Sequence, residues 1–374
     1  MNLGIIMCHS APYRTLQINE FAKIKGINIT VYYTFAQNDN REWEDNKKIG
    51  YKVEYLKGYK FSEKYGYINY GLFNIVKNND VLLIGGYSEV SYIILSLLSK
   101  IFNKKYGVIF DGISTNRIND KENKIKKFLK NIVVKNSNFI FANGKIGKEY
   151  FKNQFKYNEK YIYNQYLTVD SELINSMYNN RFQYRSNVRK KLNIKNEKKV
   201  VIFSGRLISI KNVEIIIEAI SKIKEKDNII FLVTGGGILK EKLEELASKK
   251  NVKIYITNFI KKQEELFKYY FAGDVLVLPS IDEPWGLVVN EAMNAGLPVI
   301  VSDKCGCSMD LVKDGYNGYI FNSSDVEELK EKLQKVLFVN SESMGKESRR
   351  IISNWTFKDS RKSLEDALDN LYIN

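Results

Sequence analysis

Residues Ala272–Asp303 read AGDVLVLPSIDEPWGLVVNEAMNAGLPVIVSD. Val275 to Pro279 are apolar without alternation, the pattern of a parallel strand covered on both faces. The chain leaves through Ser280-Ile281-Asp282, passes Glu283-Pro284-Trp285-Gly286, and carries a helical pattern from Leu287 to Asn294. Gly296 and Pro298 stop that helix, and Val299-Ile300-Val301 opens another strand. The stretch therefore predicts a strand–loop–helix–strand unit in which Glu283 and Glu291 bracket a helix N-terminus. Open α/β sheets bind ligands at the carboxyl ends of their strands, where free amides and the helix dipole favour an anion. A phosphate-bearing ligand with hydroxyls on both sides suits these groups. An ordinary βαβ unit with two surface glutamates is the plainer reading of the same residues.

The rest of the chain extends this alternation. Short apolar runs precede glycine or a polar turn at Leu3–Cys8, Ile29–Phe35, Val81–Ile84, Tyr106–Phe110 and Phe139–Ala142, with helical patterns such as Leu16–Ile24 between them. Strands alternating with helices of 10–15 residues imply a parallel, doubly wound sheet. From Thr168 to Glu197 the pattern weakens into polar and charged residues, which reads as a crossing into a second domain. Val200–Phe203 begins a new sheet, followed by Ser204-Gly205-Arg206, a helical pattern over Asn212–Lys224, strand Ile229–Val233, Gly235-Gly236-Gly237 and strand Val252–Ile256. A chain of 374 residues is long enough for two cores.

Composition narrows the function. Three cysteines, Cys8, Cys305 and Cys307, are too few for a disulfide framework and predict reduced thiols in a cytoplasmic protein. One histidine, His9, makes a histidine-based metal site untenable, and no Asp-x-Asp pair exists to clasp a metal-diphosphate. No apolar run is long enough to span a bilayer, and the start MNLGIIMCHSAP reads as a first strand rather than a signal peptide. The net charge of +15 is uneven: up to Thr168 there are 26 Lys and Arg against 14 Asp and Glu. A basic half suits nucleic acid, an anionic membrane or an acidic substrate. No nucleic-acid-binding motif accompanies it, so no nucleic-acid partner is expected.

The sentence VLVLPS…EPWGLVVNEAMNAGLPVIVSD, with its E-x(7)-E spacing, and the upstream GRLISIKN resemble the donor site of the retaining glycosyltransferases of family four (glycosyl transferases group 1). The resemblance implies the GT-B architecture: two facing Rossmann-like α/β domains with a donor/acceptor cleft. Residues 1–168 would form the acceptor domain, 169–356 the nucleotide-sugar domain, and a C-terminal helix at about 357–374 would pack back on the first. It implies that Arg206 and Lys211 neutralise the leaving diphosphate, beside Gly205, whose backbone lets the ligand approach. Amides of Gly286, Leu287 and Val288 cap the same anion, Glu291 accepts the ribose hydroxyls, and Glu283 meets the donor sugar as stabiliser or positioner. Gly235 and Gly236 line the nucleotide pocket or simply form a tight turn, and Phe259 lies where the base rests. The donor is a nucleotide-diphosphate sugar, the acceptor a saccharide or polyprenyl- or lipid-linked sugar, and no cofactor or obligatory metal is implied.

The first domain departs from the family. The glycine pair after the first strand is replaced by Cys8-His9-Ser10-Ala11-Pro12-Tyr13-Arg14. Either Ser10-Ala11 substitutes as small residues, or Arg14 reaches the ligand; His9 is a further acceptor candidate or a structural residue. The family's mid-domain histidine is missing, and its strand-end counterpart is Asp111, which orients the acceptor hydroxyl, takes its proton, or caps the following turn. Ile125, Phe128, Leu129, Ile132 and Val133 share one helical face, with Lys121, Lys124, Lys126, Lys127, Lys130 and Lys135 around it. That helix packs on the sheet, touches an anionic membrane, or does both, since lysines on a packed helix still attract anionic lipid; the membrane contact would place the protein peripherally at the inner face of the cell membrane. Tyr51, Tyr55, Tyr59, Phe61, Tyr65, Tyr67 and Tyr70 form an aromatic cluster suited to a saccharide or lipid groove. Two other readings remain open: a nucleotide-sugar epimerase of similar architecture, and a non-catalytic sugar-binding protein.

Overall fold

The computed structural model describes residues 1–34, 49–62, 66–118 and 123–372; Phe35, Tyr65 and Lys121 lie outside them. The chain divides into two compact units, one of residues 1–113, 117–167 and 357–374, the other of 114–116 and 168–356.

The first unit holds β1 (Asn2–Met7), β2 (Asn28–Tyr33), β3 (Lys52–Tyr55), the hairpin β4 (Gly58–Ser62) and β5 (Gly66–Asn69), then β6 (Val81–Ile84), β7 (Lys105–Ile109), β8 (Phe139–Ala142) and β9 (Ile162–Asn164). Seven of these make one sheet in the order β3-β2-β1-β6-β7-β8-β9, parallel throughout. The order reverses between β1 and β6, which makes their carboxyl ends the crevice of this sheet. Both faces are covered, which is why the strands are apolar without alternation. On one face Leu3, Ile5, Val31 and Phe141 pack with Ile18 and Phe21 of the helix Pro12–Phe21 and with Leu364, Ala367 and Leu368 of the helix Phe357–Asp369. On the other, Ile6, Leu82, Ile84, Val108 and Ile140 pack with Leu95, Val133, Ile146 and Phe151 from three helices.

One of those helices, Lys124–Lys135, divides the expected apolar face. Val133 and Val134 are buried, but Ile125 is 71% exposed and Phe128 63%. Lys130 is buried instead, its Nζ 4.7 Å from the centre of the Tyr87 ring. The helix is anchored by its C-terminal half, and its N-terminal turn stands proud.

The second unit holds β10 (Lys199–Ser204), β11 (Ile229–Thr234), β12 (Lys253–Thr257), β13 (Val275–Leu278), β14 (Val299–Ser302) and β15 (Gly318–Phe321). They form one parallel sheet in the order β12-β11-β10-β13-β14-β15, with the reversal between β10 and β13. The polar run after Thr168 is helical after all, as Ser171–Tyr178 and Arg181–Lys191. The first helix buries Ile174 and Met177, but the inner side of the second is set mainly by charge, with Val188 its one buried apolar residue, so an apolar pattern alone reveals little of it. Arg189, 1% exposed, pairs with Asp274 at 2.9 Å and donates to the carbonyls of Ala272, Asn196 and Lys198. Arg185 meets the other oxygen of Asp274 at 2.7 Å. Among the described residues no helix is long and apolar enough to cross a membrane.

Candidate functional site

In the second unit the reversal between β10 and β13 brings two loops side by side. Gly205 to Lys211 leaves β10, and Ser280 to Gly286 leaves β13. Between them Lys211 Nζ and a carboxylate oxygen of Glu283 form a direct ion pair, 18% and 12% exposed at their side chains. Ser280 Oγ donates to the same oxygen at 3.3 Å. The Glu283 backbone is held too, its carbonyl accepting from Gly306 N at 2.9 Å. Two contacts to one carboxylate oxygen and a third to the backbone limit the orientations open to this side chain, as a preorganised charge requires.

Gly286 follows at φ +99°, a left-handed conformation that only glycine adopts without strain, and begins the helix Leu287–Asn294. No side chain caps that helix, and of its first-turn amides Val289 N donates to Gly286 O at 2.9 Å, which leaves the earlier ones without a side-chain partner. Trp285 is buried, stacked on Trp355 at 5.2 Å, and its indole N–H donates to Asn290 Oδ1 at 3.0 Å. This clamp fixes the loop to the second turn of the helix it introduces.

Glu291 lies one turn along the same helix, half-buried, and accepts a 2.6 Å hydrogen bond from the Tyr270 hydroxyl. Burial pushes its carboxyl up to about 7, against the opposing effect of that hydrogen bond. Tyr270 is itself buried, and its phenol is driven well above the ordinary range by burial and then by the Glu291 charge.

Arg206 is exposed and makes no side-chain hydrogen bond or ion pair among the described residues. The loop that carries it is braced from below: Gly205 N donates to Thr234 O at 3.0 Å and Leu207 N to Gly236 O at 2.9 Å. A Cβ on Gly235 would fall against the Gly205 carbonyl, and one on Gly237 against Leu207, whereas Gly236 faces open space. The glycine run thus has a packing reason at its first and third positions. Phe259 is 45% exposed after β12.

In the first unit Asp111 follows β7 and is held rather than loose. Arg14, 3% exposed, forms an ion pair with Asp111 Oδ1, and the Tyr13 hydroxyl donates to Oδ2 at 2.8 Å. Arg14 also donates to Gln17 and Gln165. The guanidinium therefore braces Asp111 inside this unit, while the carboxylate stays half-exposed at 51%. His9 and Ser10 are exposed in the loop after β1. Across the β1/β6 reversal, Cys8 Sγ and Thr34 Oγ1 donate to the buried carboxylate of Glu89 at 2.6 and 3.1 Å. Burial raises both Glu89 and Cys8, the latter to about 12.

Sequence reasoning passed over Tyr270, Trp285, Asn290, Ser280 and Glu89. Tyr270 and Glu89 carry no local mark, being 21 residues from Glu291 and 81 from Cys8, whereas Ser280 and the Trp285–Asn290 pair lie within five residues of their partners. Asp282 was also passed over, although it adjoins Glu283; its Oδ1 is buried with no hydrogen-bond partner.

Residues 185–354 match the sequence model of the glycosyl transferases group 1. An uncharacterised glycosyltransferase of Methanocaldococcus jannaschii, MJ1607, is 35% identical over 139 residues, covering 37% of this chain and 35% of that protein. The sulfoquinovosyl transferase SQD2 of Arabidopsis thaliana is 34% identical over 197 residues, covering 52% and 35% respectively. The matched segments thus span about a third of these curated relatives. The crystal structure of Anabaena Alr3699/HepE in complex with UDP superimposes with a TM-score of 0.76 at 15% identity, covering 99% of this chain and 100% of that one. Sucrose-phosphate synthase from Thermosynechococcus elongatus gives 0.75 at 16% identity, with 100% and 99% covered. The similarity to the group 1 glycosyl transferases thus lies in residues 185–354, and the whole chain shares the fold of these solved structures, two Rossmann-like halves of the GT-B type.

Proposed function

We propose that this group 1 chain is a retaining glycosyltransferase that moves a sugar from a nucleotide-diphosphate donor to a saccharide or lipid-linked acceptor, in synthesis of a bacterial-type surface polysaccharide or glycolipid. The observation that carries the reading is the Lys211–Glu283 pair, set at the strand-order reversal beside an uncapped helix N-terminus. Breaking a sugar–phosphate bond leaves an oxocarbenium-like sugar and a diphosphate anion. Lys211, the unpartnered Arg206 and the amides of Gly286, Leu287 and Val288 supply positive charge where the anion develops. Glu283 faces the positive sugar, and Glu291 accepts the ribose hydroxyls. This charge set accounts for the leaving group without a metal, and none is assigned a role. The acceptor hydroxyl is assigned to Asp111, whose orientation Arg14 and Tyr13 determine.

Alr3699/HepE has been crystallised with UDP and with UDP-glucose, which supports a nucleotide-sugar donor here. A peripheral membrane contact completes the reading. Exposed Ile125 and Phe128 sit among Lys124, Lys126 and Lys127, the combination that binds an anionic bilayer surface.

The test is incubation with a panel of nucleotide sugars, following nucleotide release and the anomeric configuration of the product by proton NMR. Transfer or slow donor hydrolysis with the donor's configuration kept supports the reading. An epimerised donor would replace it with the epimerase, and inertness toward every donor with a binding protein. For the membrane contact, sedimentation with vesicles of phosphatidylglycerol should be lost in Lys124→Glu/Lys126→Glu/Lys127→Glu; unchanged sedimentation removes it.

A further inference from the structure

A cavity of about 510 Å³ opens in the first unit at the amino ends of β7, β8 and β9, the opposite edge of the sheet from Asp111. Its mouth carries Lys105, Lys135 and Lys156, and none of its fourteen lining residues is acidic. These three lysines have no carboxylate partner among the described residues. Neighbouring lysines are different: Lys148 and Lys152 both pair with Glu159, at 2.9 and 2.7 Å. Three ammonium groups without a carboxylate contact around one hollow favour a positive potential inside it, opposed by the Asp366 charge near Tyr163.

The walls are aromatic and preset. Tyr157 donates to Ser137 O at 2.8 Å, and the Tyr163 hydroxyl accepts from Asn370 Nδ2 at 3.0 Å. Tyr161 lies between them with Lys160 Nζ 5.4 Å from its ring centre. Lys156, at φ +54°, is the left-handed C-cap of the helix Gly144–Phe155, its N–H donating to Phe151 O, which fixes where its side chain starts. Fixed tyrosine faces suit the C–H face of a pyranose ring, amide side chains suit its hydroxyls, and the lysines require an anion. The volume accommodates one or two sugar rings and is in the range of built ligand sites.

We propose that this cavity is a second binding site, separate from the transfer site, for an anionic sugar: a pyranose bearing a carboxylate or phosphate. The sugar arrives either as part of an acidic glycan or as a free sugar phosphate.

The test is calorimetric titration of the full chain with tri-galacturonate, glucose 6-phosphate, glucose and inorganic phosphate. Both anionic sugars should bind more tightly than glucose or phosphate, and more weakly as salt is raised. Tighter binding of the trisaccharide identifies a glycan as the source, and tighter binding of glucose 6-phosphate a free metabolite. Lys105→Gln/Lys135→Gln/Lys156→Gln should weaken both by about tenfold or more, and Tyr161→Ala should weaken them without changing the thermal midpoint. In every variant UDP should bind as in the parent, since no donor-site residue is altered; loss of that binding in the parent protein would count against the transferase reading alone. Failure of both anionic sugars to bind at millimolar concentration, phosphate binding as tightly as glucose 6-phosphate, or undiminished binding by the triple variant would each overturn the proposal.

Discussion

Removing one hydroxyl, in Tyr270→Phe, should move the pH at which the protein takes its donor. In the parent protein Glu291 titrates at about 7, burial raising it and the 2.6 Å bond from Tyr270 holding it down. An ionised Glu291 is the better acceptor for ribose hydroxyls, so nucleoside diphosphate affinity should improve as pH rises through about 7. A hydrogen bond to a charged group is worth roughly 1.5–3 kcal/mol. At about 1.4 kcal/mol per pH unit, its loss should raise the midpoint by about one to two units. Phenylalanine keeps the ring volume, so the packing of this buried side chain is retained. Stability should change with pH in the opposite direction to affinity. A carboxyl whose folded pKa lies above its unfolded value favours the fold most below about 4.5 and loses that contribution as pH passes 7. The full shift corresponds to a ceiling of roughly 3 kcal/mol, reduced by whatever water reaches this half-buried group. The assay is calorimetric titration with UDP from pH 5.5 to 9.5, paired with thermal unfolding over the same range. A midpoint that stays put or falls in Tyr270→Phe would refute both the Glu291 assignment and the role of its partner.

Three other outcomes follow from contacts at and beside the sites. Lys211→Ala should abolish transfer and lower stability by about 1–3 kcal/mol, because it strands a largely buried Glu283 carboxylate. Adding Glu283→Gln should recover the denaturation midpoint without recovering turnover. Gly235→Ala should destabilise by about 2 kcal/mol or more, since its Cβ meets the Gly205 carbonyl at a residue with φ +141°; Gly236→Ala, facing open space, should stay within about 0.5 kcal/mol in urea unfolding. Asp111→Asn should cost about 2 kcal/mol by leaving buried Arg14 without its anion, and Arg14→Met should relieve that loss in the double variant. A double variant no more stable than Asp111→Asn would show that Arg14 is held by Gln17 and Gln165 alone.

The alternation of apolar runs and helical patterns was enough to imply two parallel, doubly wound sheets, because strands covered on both faces must be apolar throughout and that is written residue by residue. Ala272–Asp303 likewise showed locally that Glu283, Gly286 and Glu291 share one strand–loop–helix, since chain neighbours stay neighbours in space. The resemblance then supplied Arg206 and Lys211 as companions. What the linear order could not contain is which distant groups meet. Lys211 and Glu283 are 72 residues apart and touch because β13 is laid beside β10 after the chain has gone out to β12 and back. Tyr270 reaches Glu291, Arg14 braces Asp111, and Arg189 gives a helix its inner side, each through a pairing that sheet order alone creates. The helix Lys124–Lys135 makes the same point in reverse. Its apolar stripe is legible in the sequence, but only the packing decides that Lys130 goes inward over Tyr87 while Ile125 and Phe128 face outward. Periodicity reports that a face exists; what covers it depends on the neighbours the fold supplies.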